Sequence, residues 1–459
     1  MPLSPPCLSY RGCAQVLMNY SNREAVGRSG IQGSDPVVYK KKEVKSVSAL
    51  YVGIDVSQKE LVGQGLNEQG EQIFKPFHTP NNLPGCEKLR DTILLYGSGN
   101  SLDDVQIGLE ATNVYWEHAF RFLANDDKLN TNFNLQLFTL NPKVVKNFKD
   151  IYGNTLPKND NIDSWVIADR LRFGHVQSNS VPETVYQALR QLTRFRFQLA
   201  SSLRAEKNRA LNLIFFKFSN YNDEAPFDTF SKASMAFLEH FSLEEIATTD
   251  LEDLATFLIE NSNNRLGGNT GPEEIAKLLR RTARNAYRLS PKMEDAVTQT
   301  LTMTFDTIRF MQGQLKRADK NIARQLEAIP QTLITVPGMG PTLTAGIISE
   351  IGDVNRFKSQ ASLANYAGLV WHTRQSGSFN AEETSLTKEG NKYLRYYLVE
   401  AANSLRVHNE QYRRYYYKKY QEVPKHKHKR ALVLAARKFV RLVFALLTKG
   451  EIYQPRRYN

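Results

Sequence analysis

Residues 50–55 read Leu-Tyr-Val-Gly-Ile-Asp, an apolar run that ends on an acidic residue and predicts a short buried strand. Two more strand patterns follow, and the turn signal Asn-Glu-Gln-Gly at 67–70 between them predicts an antiparallel hairpin. Helical and strand patterns then alternate. The predicted segments are strands Leu61–Leu66 and Gln72–Phe77, helix Pro84–Tyr96, strand Val105–Leu109, helix Tyr115–Leu123 and strand Leu135–Leu140. This order predicts a ribonuclease H-like α/β domain.

The remainder of the chain has mainly helical patterns. Two long ones, Tyr186–Phe218 and Lys292–Ile329, predict an antiparallel coiled-coil arm, and the loop-rich stretch 219–291 between them predicts a small helical insert. We therefore divide the chain into a flexible leader (1–48), the α/β domain (49–178), the arm with its insert (179–330) and a mainly α-helical C-terminal domain (331–459).

The composition narrows the class of protein. The chain has 459 residues, a formal net charge of +13 and 41% hydrophobic residues, which is typical of a folded protein. Three cysteines exclude a disulfide framework and a four-cysteine zinc site, so we expect a reducing compartment. No run of about 18 uncharged apolar residues occurs, which excludes a membrane-spanning helix, and no signal-peptide pattern is present.

The positive charge is concentrated near the C-terminus. Between Gln411 and Asn459 there are 14 Lys and Arg residues against 2 acidic residues, and the first of these charges are interspersed with Tyr412, Tyr415, Tyr416, Tyr417 and Tyr420. This pattern favours a nucleic-acid partner, with phosphate contacts and base stacking; the alternative is a solvated basic tail. The helical spacing of apolar residues in Ala431–Leu447 favours a packed helix over that alternative. The expected phosphate contacts include Lys418, Lys419, Lys427 and Lys429.

Four acidic residues form a candidate metal site. Asp55 and Glu110 each end a predicted strand, and neighbouring strands about 4.8 Å apart would place both carboxylates at one sheet edge. Asp160 and Asp163 are three residues apart and share a helix face. Taken singly, the first two could be turn residues, and the other two an N-cap and a first-turn acid. Together they offer the hard oxygen ligands that Mg²⁺ or Mn²⁺ prefers.

Two motifs of the C-terminal domain also suggest phosphate chemistry. Residues 333–341 read Leu-Ile-Thr-Val-Pro-Gly-Met-Gly-Pro and resemble a helix-hairpin-helix, in which the backbone N–H groups of Gly338 and Gly340 would bind a phosphate. A simple packing element is the alternative. Ser376 precedes a glycine and has three cations near it in sequence, so it could attack a phosphodiester, although such a serine is more often a turn residue. These cations are Arg374, Lys388 and Arg395.

Six short segments of the sequence, and the order in which they occur, carry a resemblance to one family. The chain resembles the DEDD transposases of the insertion sequence 110/1111 family, the bridge-RNA-guided recombinases. The segments are Gly-Ile-Asp-Val-Ser at 53–57, Glu-Ala-Thr at 110–112, Lys-Asn-Asp-Asn-Ile-Asp at 158–163, Pro-Gly-Met-Gly at 337–340, residues 363–369, and Gln-Ser-Gly at 375–377.

The resemblance implies a RuvC-like nuclease domain whose catalytic, metal-binding acids are Asp55, Glu110, Asp160 and Asp163, and a separate transposase domain whose catalytic serine is Ser376. It also implies a homotetramer, assembled from dimers, that pairs donor and target DNA through a structured guide RNA. Acids of one subunit and the serine of another then form a composite site, and strands exchange through phosphoserine intermediates. A prokaryotic cytoplasmic protein that works at the nucleoid is expected.

Two other functions compete with this interpretation. A metal-dependent Holliday-junction-resolvase-like endonuclease would use water and form no covalent link, so Ser376 separates it from a recombinase. An inactive nucleic-acid-binding protein would keep the basic segment without the chemistry. The presence of all four acids argues against the inactive protein.

Overall fold

The computed structural model describes residues 49–100, 102–111, 113–155, 159–174, 176, 184–225, 227–262, 270–371, 375–376, 379–380 and 385–455. Packing divides the chain into two compact units, one ending at residue 179 and the other beginning at residue 180. Among the helices of the described part, none has the length and apolar character needed to cross a membrane.

The first unit is built on a five-stranded sheet. Its elements are β1 Ala49–Val56, β2 Glu60–Leu66, β3 Gln72–Pro80, α1 Leu83–Gly99, β4 Asp104–Glu110, α2 Trp116–Ala124, α3 Asp127–Asn132, β5 Asn134–Leu140, α4 Pro142–Lys149, a 3₁₀ segment Asp150–Thr155 and α5 Asp160–Arg172.

The sheet is mixed, with strand order β3-β2-β1-β4-β5. The first three strands pair antiparallel, as the turn signal predicts, whereas β1, β4 and β5 run parallel. Ile54 of β1 lies between Gly63 of β2 and Leu109 of β4. Because parallel strands end at the same edge, the C-terminal ends of β1 and β4 place Asp55 and Glu110 on neighbouring strands at one edge of the sheet.

Helix α5 lies unusually close to the middle of this sheet. A Cβ added to Gly53 would overlap the backbone of α5 at Ser164 and Ala168, and one added to Gly108 would press on the side chain of Ile167. Gly53 and Gly108 are register partners on β1 and β4, so together they form a shallow groove for the helix. Val166, Ile167 and Leu171 fill the interface and are buried.

The second unit is almost entirely helical. Its elements are α6 Thr184–Lys217, α7 Tyr221–Glu224, α8 Lys232–His240, α9 Leu243–Thr248, α10 Leu251–Asn261, α11 Pro272–Arg284, α12 Pro291–Glu327, a 3₁₀ turn Leu333–Thr335, α13 Pro341–Ile351, a 3₁₀ turn Val354–Arg356, α14 Gln360–Tyr366, β6 Gln375–Ser376, β7 Phe379–Asn380, α15 Lys392–His408, α16 Glu410–Gln421 and α17 Lys427–Lys449.

The two long helices, α6 and α12, pack against each other and share a core at each end. At one end Leu189 and Ile322 join the core of the C-terminal helices. At the other, Ile214 and Leu301 join a separate core formed with the insert helices α7 to α11. The sequence predicted both long helices and the helical insert; their description as a coiled coil stays a prediction.

A buried carboxylate ties the long helix α6 to the C-terminal helices. Glu350 of α13 is fully buried, and its two oxygens accept hydrogen bonds from Arg194 of α6 at 2.7 and 2.9 Å. The side-chain amide of Asn391 also donates to Glu350, at 2.7 Å, while the amide oxygen of Asn391 caps α15. The residues just before α15 are therefore anchored at Asn391, because a buried charge must keep its partners.

Candidate metal centre and nucleic-acid surfaces

Three acidic side chains of the first unit converge at the edge of the sheet. One carboxylate oxygen from each of Asp55, Asp160 and Asp163 lies within 4.8 Å of the others. Carboxylate oxygens are the ligands that Mg²⁺ and Mn²⁺ prefer, and three at this spacing fit a divalent cation. The geometry thus brings together residues that are about a hundred positions apart in the chain.

The close approach of α5 to β1 explains this convergence. Asp55 lies two residues beyond Gly53, so both residues face the same side of the sheet, toward α5. Asp160 lies one helical turn before Ser164, whose carbonyl oxygen sits over Gly53. The glycine lets the first turn of α5 reach the end of β1.

Asn159, and not Asp160, is the N-cap of α5. The Asn159 side chain accepts a hydrogen bond from the backbone N–H of Asn161 at 3.1 Å. The alternative that Asp160 serves as an N-cap is therefore wrong. Because the capping function is met by its neighbour, the Asp160 carboxylate is available at the exposed mouth of the cluster.

Glu110, the fourth predicted acid, is not part of this group of three and is a close electrostatic neighbour of it. It is the last residue of β4 and pairs in register with Leu140 of β5, one step beyond the pairing of Ile54 with Leu109. Burial, followed by the negative charges of Glu110, Asp160 and Asp163, raises the pKa of Asp55 to about 6. Such an excess of negative charge is relieved when a cation binds.

Two basic side chains beside the acids were not predicted from the sequence. The Lys149 ammonium of α4 donates to Asp163 Oδ1 at 2.6 Å. The ring of His78 in β3 has its Nε2 atom 2.6 Å from Asn161 Oδ1 and its Nδ1 atom 3.1 Å from Glu60 Oε1. Helix α4, which carries Lys149, could have been predicted from the sequence, since Asn141 and Pro142 are a typical helix start.

The predicted serine site is described only in part. Ser376 lies in β6, where its backbone pairs with Phe379, but its side chain and all of Arg374 lie outside the described residues. Lys388 has a positive φ of 53°. The guanidinium of Arg395 donates to the carbonyl oxygen of Ala367 at 3.1 Å.

The glycine turn at 337–340 leads directly into α13. Gly338 has a φ of 95° and its carbonyl oxygen accepts a 2.6 Å hydrogen bond from the Ser404 hydroxyl of α15. Gly340 is the N-cap of α13 and Pro341 its first residue. The turn is thus held on α15 at a helix N-terminus, and phosphate binding there stays a prediction.

The basic residues of α16 and α17 differ in exposure. Lys418 and Lys429 are exposed, whereas Lys419 forms an ion pair with Glu422 at 2.6 Å and Lys427 lies over the ring of Tyr420. The predicted helix Ala431–Leu447 is confirmed within α17.

The tyrosines of α16 are not all available to nucleic acid. Tyr412 and Tyr416 are buried, with exposed fractions of 2% and 4%. They lie one turn apart on the face that packs toward α17. The prediction of base stacking is therefore wrong for these two, while Tyr417 is 53% exposed.

Two family descriptions match separate regions of the chain. Residues 52–218 match the IS110-type DEDD transposase family, and residues 330–417 match the transposase family IS116/IS110/IS902. The chain belongs to the IS110 family of DEDD transposases. In this transposase the first matched region contains the three converging acids and also Glu110.

Similar proteins are found in Streptomyces and Moraxella. The transposase is 25% identical over 429 residues to the insertion element IS110 uncharacterized 43.6 kDa protein of Streptomyces coelicolor, covering 89% of this chain and 96% of that protein. It is 24% identical over 342 residues to the mini-circle putative transposase for IS117 of the same organism, covering 72% and 78%. A 98-residue segment is 32% identical to the pilin gene-inverting protein of Moraxella bovis, covering 20% and 30%.

Proposed function

We propose that this transposase is a DNA recombinase that cuts and exchanges the strands of its own insertion sequence under the guidance of a bridge RNA. The observation that carries the proposal is the convergence of Asp55, Asp160 and Asp163 in a chain of this family. With Glu110, the acids occur along the chain in the order Asp, Glu, Asp, Asp that the family name abbreviates.

In this proposal the acids hold Mg²⁺ or Mn²⁺, and Ser376 is the nucleophile. A cation held there would lower the pKa of a coordinated oxygen and stabilise charge on a phosphate. The four carboxylates are the ligands that would hold the cation, and its positive charge would offset their repulsion of the phosphodiester. The Ser376 hydroxyl oxygen bonds to phosphorus as a P–O bond of the DNA breaks, and the hydroxyl proton ends on the released DNA oxygen.

The acids and Ser376 belong to different units of the chain. We propose that the working enzyme is a homotetramer assembled from dimers, in which the acids of one subunit act with Ser376 of another. Donor and target DNA are its substrates. Contacts to their phosphates, or to those of the guide RNA, come from the C-terminal unit. They involve Gly338, Gly340, Arg374, Lys388, Arg395, Lys418, Lys419, Lys427 and Lys429.

A denaturing gel tests the nucleophile. The enzyme is incubated with Mg²⁺, labelled DNA carrying the ends of the element, and RNA transcribed from the sequence flanking the gene. We expect the wild type to leave a protein-linked DNA strand and Ser376→Ala to leave none. Ser385→Ala, a matched change at an exposed serine nine residues later in the chain, should behave as the wild type.

The same gel separates the competing functions. Cleavage without a protein-linked strand, at an unchanged rate in Ser376→Ala, would establish a resolvase-like endonuclease. Omitting the RNA should abolish cleavage of the cognate sequence, and its persistence would remove the guide from the proposal. DNA binding with no cleavage by the wild type would indicate an inactive binding protein.

A further inference from the structure

Lys149 is the last residue of α4 and reaches the acid cluster from the side. Its ammonium nitrogen lies 2.6 Å from Asp163 Oδ1, and the two side chains are 20% and 24% exposed. An ion pair at this distance and burial is held more tightly than one on an open surface. The Lys149 ammonium is therefore paired with a carboxylate of Asp163 that is also positioned to bind a metal ion.

The position of Lys149 is fixed by the core and not by the ion pair itself. Its neighbour Phe148 is buried, as is Val145 one turn earlier, and both pack with Val166 and Ile167 of α5. The guanidinium of Arg170 covers the Phe148 ring at 5.5 Å. Helix α4 is thus anchored on α5, and loss of the contact to Asp163 would leave the Lys149 backbone in place.

Lys149 and a divalent cation compete for the same carboxylate. An ammonium group and a divalent ion held on adjacent oxygens repel each other, and this repulsion is strong in a partly buried site. When a metal ion takes Asp163, the flexible lysine side chain must turn away from it. The anion that would then accept its hydrogen bonds is the phosphate of the DNA strand at the cluster.

We propose that Lys149 is a further phosphate-binding residue of the nuclease site, held by Asp163 in the metal-free protein and released to the DNA phosphate when a cation binds. The inference rests on the proposed function of the acids. It gives Lys149 two effects of opposite sign, because the lysine opposes metal binding and promotes strand cleavage. A lysine that only orients Asp163 would promote both.

Calorimetric titration with Mn²⁺ measures the first effect. The full-length Lys149→Met protein should bind Mn²⁺ about tenfold more tightly than the wild type, since a like charge beside the site has been removed. Lys146→Met is the matched control, because Lys146 is exposed on the same helix one turn earlier, and it should stay within about twofold of the wild type. An affinity that is unchanged or weaker in Lys149→Met overturns the proposal.

The gel assay described above, at saturating Mn²⁺, measures the second effect. Cleavage by Lys149→Met should fall on the order of 100-fold, as for the loss of one group that stabilises charge on the reacting phosphate. Lys149→Arg, which keeps the cation, should retain most of the rate and the wild-type Mn²⁺ affinity. Wild-type cleavage by Lys149→Met overturns the proposal.

The two proposals fail in different ways. If Asp163→Asn cleaves DNA normally, the assignment of the acids is wrong. If Asp163→Asn is inactive while Lys149→Met matches the wild type in both measurements, only the role of Lys149 is wrong. Lys149→Gln, which also removes the positive charge, replaces Lys149→Met in both measurements if Lys149→Met does not fold.

Discussion

Gly53 of β1 and Ser164 of α5 meet backbone to backbone, with no side chain between the strand and the helix. A Cβ on Gly53 would lie only 2.0 Å from the Ser164 carbonyl oxygen. The first turn of α5 depends on this approach, since it must reach Asp55 at the end of β1. The geometry of the acid cluster is thus set by an uncharged residue that has no side chain.

Gly53→Ala is expected to lift α5 from the sheet and separate Asp160 and Asp163 from Asp55. Overpacking of this kind costs about 1–3 kcal/mol of the free energy of unfolding. We expect a lower melting temperature and a loss of Mn²⁺ binding by calorimetry. Gly99→Ala is the control, because a Cβ there meets nothing within 4 Å. Equal effects of the two substitutions would contradict the role of Gly53.

Stability in the absence of metal should fall as the pH rises through 6. The pKa of Asp55 is raised to about 6, chiefly by burial, from about 3.9 in the unfolded chain. Below pH 4 the carboxyl is protonated in both states and costs nothing; above pH 6 the folded state must hold an unfavourable charge. The loss is about 1–2 kcal/mol after allowance for solvent screening.

Thermal unfolding in EDTA checks this sign. Asp55→Asn should become more stable relative to the wild type between pH 5 and pH 8. Added Mg²⁺ should stabilise the wild type at pH 8 more than at pH 5, and should stabilise Asp55→Asn little at either pH. If the difference in stability between the two proteins does not change with pH, the raised pKa does not belong to Asp55.

Neutralising Lys418 and Lys429 together should weaken DNA binding and its salt dependence. Each lost phosphate contact lowers the slope of log affinity against log salt by about 0.9 for duplex DNA. Both lysines are exposed, so their replacement by Gln should not affect folding. The control is Lys277→Gln with Arg281→Gln on α11, where both residues are exposed as well. Equal slopes in the test and control proteins would show that the α16–α17 lysines do not contact DNA.

Tyr412→Ala and Tyr417→Ala should have opposite consequences. Tyr412 is buried against Phe439, so its truncation should cost about 3–5 kcal/mol of stability. Tyr417 is exposed, and its truncation should change stability by less than about 0.5 kcal/mol. If Tyr417 stacks on a base, affinity for single-stranded nucleic acid falls by about 1–3 kcal/mol. Urea unfolding and fluorescence anisotropy measure the two effects.

Much of the first unit could be predicted because its strands have clear sequence patterns and two of the acidic residues stand at strand ends. The five predicted strands match β1 to β5 to within about three residues at each end, and the pairing of β1 with β4 follows from their order. Asp55 and Glu110 were therefore placed correctly at one edge. Helix spacing placed Asp160 and Asp163 on one face, since a period of 3.6 residues is a local property.

Contacts between distant segments could not be predicted in the same way. A glycine inside a strand indicates close approach by another group, but the pattern around Gly53 does not reveal that Ser164 is that group. Lys149 was missed because its contact to Asp163 depends on how α4 packs on α5. The burial of Tyr412 and Tyr416 was readable from their spacing of four, but the charges around them favoured an exposed face.

The long helix pair of the second unit is firmly packed only at its two ends. Residues 194–209 and 309–317, all within the described part, include no fully buried side chain, and the rings of Phe195 and Phe310 are exposed there. Gly313, a poor helix former, lies in this interval of α12. Its amide hydrogens should therefore exchange with solvent sooner than those near Phe305 or Ile322. The insert and the C-terminal helices can then unfold as separate cooperative units, and the long helices can bend in the interval between them.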